Sequence, residues 1–296
     1  MIKNDIITIG WWYLLKEYFF EMIDKAKRDF NVSLKEEDLI KLENKLFNGN
    51  LSEEQIKERI DLAYLSIKEN YEKRRNDELI KQGVAEGNIS QVREVAKMLF
   101  SDPYLSDKVS IYGGSIPYLL TGKDSKRIIG DIDTHVDFDN MQEIRNYIYA
   151  NSDTISVLYD SLELSGEDFG MELIINGLNV SIFPTVATSE GMAIRNFYIN
   201  KVTNEIEIKE TLFPGVFEKN EIRTYNVDGV EMRMMSPEFT YITKQVANRP
   251  KDIEDNKILE SLISYEDVER MRHQMKMPIV SYDKIVSMQD QTKKGL

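Results

Sequence analysis

The chain has 296 residues, 42% of them hydrophobic and 30% charged, with 12 Phe and 15 Tyr; it is too apolar for a disordered chain and long enough for two domains, or one domain with helical additions, around a sizeable core. It contains no Cys and two His, which excludes disulfides, thiolate zinc sites, cysteine nucleophiles and histidine-rich metal centres. A formal net charge of −13 repels polyanions and argues against extended binding of DNA or RNA, while leaving room for a local basic site that holds a nucleotide.

The first apolar run is broken by Lys16, Glu17 and Glu21. It neither spans a membrane nor resembles a cleaved signal, so a cytoplasmic protein without a membrane partner is expected. Its aromatic stretch GWWYLLKEYFF predicts a helix packed inward, with a dimer face as the second reading. Capping boxes are expected at Ser33–Glu36 (SLKE) and Ser52–Gln55 (SEEQ), where hydroxyl and N3 side chain satisfy orphan amides at a helix start. Apolar residues at helical spacing follow (Ile56, Ile60, Ala63, Tyr64, Ile67).

From about residue 108 the period changes to two. VSIYGG reads as a strand entering a glycine turn, SIPYLLTG as a short helix with Ser115 at its cap, GDIDTHVDF as a strand and MQEIRNYIYANS as a helix. Hairpins are expected at Asn176-Gly177, around Thr203-Asn204 and at Asp228-Gly229, since Asn-Gly and Asp-Gly supply the positive φ values of tight turns. Helices return at SPEFTYITKQVANRPKDIED, with Ser236 as cap and Pro237 at the first helical position. The change of period divides the chain into an N-terminal helical region (1–100), an α+β domain (101–235) and a C-terminal helical region (236–296).

Chemistry concentrates in that middle region. Two glycines, Gly113 and Gly114, let backbone amides approach a phosphate closely, and Ser115 adds a hydroxyl; the alternative is a plain tight turn capped by serine. Asp131 and Asp133 share a strand face about 6 to 7 Å apart. Like carboxylates that close raise each other's pKa unless a cation sits between them, and Mg²⁺ is the usual one; a solvated edge strand is the bland alternative. His135 and Asp137, further along, read as structural or rim residues. A two-residue turn at Asn176-Gly177 sets Glu172 opposite Ser181 on one face, with stems about 5 Å apart.

A Gly-Gly-Ser turn, an Asp-x-Asp strand, the later strand GLNVSIFP and the tail SPEFTYITKQVANRPKDIED together resemble the nucleotidyltransferase superfamily of the DNA polymerase β type, including bacterial small nucleotidyltransferases and abortive-infection toxins. The resemblance covers residues 108 to 262. It implies an α+β fold in which a mixed sheet carries the site between helical regions, and NMP transfer from an NTP such as ATP to an acceptor hydroxyl, with release of pyrophosphate. It assigns Mg²⁺ or Mn²⁺ to Asp131 and Asp133, and nucleotide binding to Gly113, Gly114, Ser115 and Lys244, with Lys126 and Arg127 as further cations. The acceptors of similar families are small molecules, tRNA ends and protein hydroxyls. The third carboxylate of these enzymes falls where this chain has Ser181. Either Glu172 delivers a carboxylate from the neighbouring strand, with Glu163 as a second candidate, or Glu172 is a surface glutamate paired with serine. In the latter case the fold is retained as a nucleotide sensor or a partner-binding protein of the toxin-antitoxin or phage-defence kind. Arg249, Lys251, Asp252 and Asp255 are read as ion pairs that knit the tail helix to its neighbours.

Overall fold

The computed structural model describes residues 2–47, 51–200, 202–203, 205–275 and 280–287, and their side chains except at 2–12, 218–219, 280–282, 285 and 287. The turn residue Asn204 and the side chains of Trp11 and Trp12 thus lie outside the described residues. The chain divides into two compact units, 1–85 with 199–205, and 86–198 with 206–296.

The first unit is built from α1 (Ile2–Phe30), α2 (Glu36–Phe47) and α3 (Glu53–Lys81). Leu15, Phe19 and Ile23 recur on one face of α1 and pack with Leu46, Phe47, Ile56 and Ile60, so the aromatic stretch does turn residues inward; Tyr13, Leu14 and Phe20 stay exposed. Ser52 caps α3 in a reciprocal box with Gln55, as its sequence predicts. Ser33 caps nothing. The second helix starts at Glu36, and Glu36, Glu37 and Asp38 place negative charge in its first turn, where the helix dipole favours it.

The elements that build the second unit follow in chain order, the facing ends of β6 and β7 (199–200 and 205) counting with the first unit, as α4 (Ile89–Ser101), β1 (Val109–Tyr112), α5 (Ile116–Thr121), β2 (Asp131–Asp137), α6 (Met141–Ala150), β3 (Ser156–Asp160), α7 (Ser161–Ser165), β4 (Met171–Ile175), β5 (Leu178–Ala187), β6 (Gly191–Asn200), β7 (Glu205–Pro214), α8 (Glu218–Glu221), β8 (Ile222–Val227), β9 (Val230–Met235), α9 (Pro237–Ala247), α10 (Pro250–Leu259), α11 (Tyr265–Gln274) and β10 (Val280–Ser287). The protein is therefore α+β. Its mixed sheet runs β10-β7-β6-β5-β2-β1-β9-β8, with β4 also on β5 and β3 on β4. The pairs β1–β2, β4–β5 and β8–β9 are antiparallel; β2–β5 and β1–β9 are parallel.

In β2 the buried Ile132, Thr134 and Val136 alternate with the acidic positions. Thr134 locks the parallel pair by donating to the Ser181 carbonyl at 2.9 Å. The amphipathic α4 buries Val92, Val95, Ala96 and Leu99 and packs on β2, β5 and β9. Both dipeptide hairpins form as counted, with Ile175 opposite Leu178 and Val227 opposite Val230. Ser236 caps α9, accepting from the Phe239 amide, and Pro237 is its first residue. The C-terminal stretch departs from its all-helical expectation, because β10 follows the last helix and joins the sheet beside β7. Val280, Tyr282, Ile285 and Val286 suit a strand, a pattern too short to outweigh the helical run before it. Among the described residues no helix is long and apolar enough to cross a membrane.

Candidate functional site

A cavity of about 550 Å³ opens over the middle of the sheet in the second unit. Gly113, Gly114, Asp131, Asp133 and Glu172 line it from the strands and turns, together with Arg127 and Lys244. Seven of the eight side chains and turn residues expected at a nucleotide site thus line one cavity. Ser115 does not. It is 1% exposed, it makes no cap hydrogen bond with α5, and its buried Oγ has no partner.

Register explains the convergence. Asp133 pairs with Tyr112 of β1 on one side and with Ser181 of β5 on the other, and Ser181 pairs in turn with Glu172 of β4. Directly paired residues face the same way, so Tyr112, Asp133, Ser181 and Glu172 form one row across four strands. The stems of Asp133 and Glu172 are two strand spacings apart, about 9 to 10 Å. The side chain on the strand between them is the small Ser181. Glu163 sits on α7 beside Tyr149, away from the wall.

The glycine turn touches both charge groups. Gly113 has φ +81°, and a Cβ there would lie 2.9 Å from Asp133 Oδ2. A Cβ on Gly114 would lie 3.6 Å from the Arg127 guanidinium and 4.0 Å from Lys244 Nζ. At Gly113 a side chain would press on the Asp133 carboxylate, whereas at Gly114 it would only reach ordinary contact with the two cations. Desolvation, and next the charge of Asp131, pushes the Asp133 carboxyl up to about 7, against the pull of Lys251, Lys244 and Arg249. An acidic pair so placed is short of a cation, and its hard oxygen donors suit Mg²⁺ or Mn²⁺. Among the described residues no third His, Asp or Glu stands close enough to complete a three-ligand group. A metal there would thus take its remaining ligands from substrate phosphate and water, a usual arrangement for Mg²⁺.

The cationic side is built on two aspartates the sequence reading assigned to ion pairs. Asp255, fully buried, accepts from Lys244 at 2.5 Å, Arg127 at 3.1 Å and the Tyr118 hydroxyl at 2.6 Å. Asp252, also fully buried, takes Arg249 at 2.6 Å and Lys244 at 3.4 Å. Lys244, Arg127, Arg249 and the nearby Lys251 outnumber these two carboxylates, which leaves that rim net positive and fixes where its charges point. Lys126 is exposed on the loop before β2. Burial drives His135 down to about 3, so its imidazole is neutral; both ring nitrogens lack partners and it stacks on Tyr112 with 4.3 Å between ring centroids.

The sequence reading missed a second wall, made by Ile194, Asn196 and Tyr198 of β6 and Lys209, Thr211 and Phe213 of β7. Nothing in the spacing of those residues ties them to the acidic strand. The tail's Asp252 and Asp255, three apart on one helix face, carried the signal for a shared anchor.

No family model matches the chain, and no curated protein matches it. Among solved structures it is similar to ANT(2'')-Ia in complex with adenylyl-2''-tobramycin, at 16% identity and TM-score 0.40 over 64% of this chain and 97% of that one. It is also similar to the lincosamide antibiotic adenylyltransferase LnuA with lincomycin bound, at 18% identity and TM-score 0.35 over 52% and 87%. An antigenic nucleotidyltransferase-like protein from Paracoccidioides brasiliensis gives 14% identity and TM-score 0.39 over 62% and 86%. Likenesses at this level bear on neither activity nor substrate.

Proposed function

We propose that the cavity binds a nucleoside triphosphate and transfers its NMP to an acceptor hydroxyl with release of pyrophosphate. The observation that carries this reading is the glycine turn, whose two residues abut Asp133 on one side and Arg127 with Lys244 on the other. A chain of phosphates laid on that turn meets the acidic pair at one end and fixed cations along its length.

In this reading Gly113 and Gly114 leave the space the phosphates occupy and present amides to them. Lys244 and Arg127, held by Asp255 and Asp252, neutralise charge on the phosphates without reorganising. Asp131 and Asp133 would hold a divalent cation, which would supply positive charge against the negative charge that develops as the bond to pyrophosphate breaks. Glu172, in the row of Asp133, takes the proton of the acceptor hydroxyl, the role left open by Ser181. The acceptor is a hydroxyl of a small molecule, a protein or tRNA; the net charge of −13 weighs against the last.

The test is incubation with each α-³²P-labelled NTP and Mg²⁺ or Mn²⁺, with a cell extract, bulk RNA and the protein itself as acceptors. Label transfer that the Asp131→Ala, Asp133→Ala double variant loses is the expected result. Nucleotide binding without transfer to any acceptor would replace catalysis by a sensor function, with Ser181 as its structural basis.

A further inference from the structure

The cavity wall carries a large aromatic side chain that packing does not account for. β4 pairs along Leu178–Ile182 of β5, and β6 along Thr185–Ala187 of the same edge. β6 therefore leaves β5 beyond Ile194, where β4 takes over that edge, and its outer half brings Tyr198 into the lining of the same cavity as the glycine turn. Phe197 beside it is fully buried, whereas Tyr198 is 56% exposed. Its hydroxyl makes no hydrogen bond among the described residues. Partial burial raises the phenol's pKa, and the charges of Asp133, Asp131 and Glu172 add to that rise against Arg249. The hydroxyl is thus within electrostatic reach of the two carboxylates assigned to the metal and of the one assigned to the base. Other hydroxyls on the wall are engaged or covered: Ser181 is 6% exposed, and Tyr112 is stacked on His135 and hydrogen-bonded with Thr243.

We propose that Tyr198 is itself an acceptor, so that an NTP seated on the Gly113-Gly114 turn transfers its NMP to Tyr198 Oη of the same chain. The inference rests on the NMP-transfer reading above. The phenolic oxygen forms the new bond to the α-phosphorus, the bond from that phosphorus to the bridging oxygen breaks, and pyrophosphate leaves with its electron pair. The phenolic proton passes to Glu172 and then to water; no oxidant or reductant is required. Because the phenol is neutral near physiological pH, the step needs that base. A tyrosyl-NMP would occupy the cavity and so limit further turnover, making the modification a brake on transfer to other acceptors.

The experiment is intact-mass analysis and peptide mapping of the full chain after incubation with each NTP and Mg²⁺ or Mn²⁺, with no other acceptor. Binding of the same NTP is measured in parallel by equilibrium dialysis. The expected result is a gain of one NMP on the peptide holding Tyr198, lost in Tyr198→Phe and in the Asp131→Ala, Asp133→Ala double variant. Tyr198→Phe keeps the ring and has no hydrogen bond to lose, so its loss of label assigns the hydroxyl rather than stacking; matching circular dichroism melts confirm that its fold stands. A chain that binds NTP yet stays unmodified overturns the inference; transfer by that chain to an acceptor in the labelling experiment above leaves the NMP-transfer reading intact. Modification that persists in Tyr198→Phe overturns it too. A chain that binds no NTP sinks both.

Discussion

Asp255→Ala removes the residue on which the cationic rim is built. Its carboxylate, fully buried, takes Lys244 at 2.5 Å, Arg127 at 3.1 Å and Tyr118 at 2.6 Å. Deleting one partner of a buried ion pair strands the other's charge and costs about 3 to 5 kcal/mol. Two features place this case at the lower end: Lys244 keeps Asp252 at 3.4 Å, and the Arg127 side chain is 14% exposed and can turn to water. About 3 kcal/mol is expected for Asp255→Ala. Asp255→Asn retains an oxygen that can accept from Tyr118 or one cation, and should cost about 1 to 3 kcal/mol. With m about 3 kcal/mol per M, the alanine variant should unfold about 1 M lower in urea. Backbone circular dichroism is the appropriate probe, because both tryptophans, Trp11 and Trp12, belong to the first unit. The same variant should weaken NTP binding, since Lys244 and Arg127 lose the group that aims them. An unchanged midpoint, or an asparagine variant less stable than the alanine one, would refute the claim that charge burial at Asp255 organises this rim.

The glycine turn, the base and the acid stability of the rim each have a direct test. Gly113→Ala puts a side chain at φ +81° with its Cβ 2.9 Å from Asp133 Oδ2, whereas Gly229→Ala, at φ +87°, meets nothing within 4 Å. Both should lose about 1 to 2 kcal/mol to backbone strain, but Gly113→Ala alone of the two should weaken metal-dependent NTP binding, as measured by equilibrium dialysis with Mg²⁺. Glu172→Gln should lower the rate of NMP transfer by about 10² to 10⁴ if Glu172 is the base, with NTP binding preserved; an unchanged single-turnover rate removes it from that role. Burial works to raise the Asp252 pKa but is outweighed by Arg249 and Lys244, which hold it below the usual carboxylate range. Its stabilising contribution is therefore complete above the unfolded value, about 4, and is lost as pH falls from there towards the folded value. Urea melts from pH 7 down to pH 3 should show the parent losing stability over that window more steeply than Asp252→Asn; parallel losses would count against the assignment.

What was legible in the sequence is what the local backbone decides. Asn176 and Gly177 adopt φ values of 48° and 76°, and Asp228 and Gly229 values of 51° and 87°. Those are the conformations such residues favour in two-residue hairpins, so the turns and the register counted outward from them were readable, Glu172 opposite Ser181 included. Ser52 and Ser236 declared their helices by the same local logic. Ser115 did not, because turn chemistry says nothing about whether a hydroxyl points at a helix amide or into the core, and here it is buried without a partner. The second wall of the cavity was equally hidden, since it depends on β4 and β6 sharing one edge of β5, a division that only long-range pairing fixes.

Ser181 shows the difference most clearly. Seen along the chain, it is the position where the resemblance to nucleotidyltransferases leads one to expect a carboxylate and this sequence has serine. Seen across the sheet, it is the position at which the parallel β2–β5 pair and the antiparallel β4–β5 pair meet, with Asp133 on one side and Glu172 on the other. A carboxylate at Ser181 would crowd a row that already holds two, about 9 to 10 Å apart at their stems. In the proposed reading the small residue is what lets Glu172 act from the next strand, so that the serine suggesting lost activity along the chain becomes, across the sheet, part of a proposed alternative way to build the site.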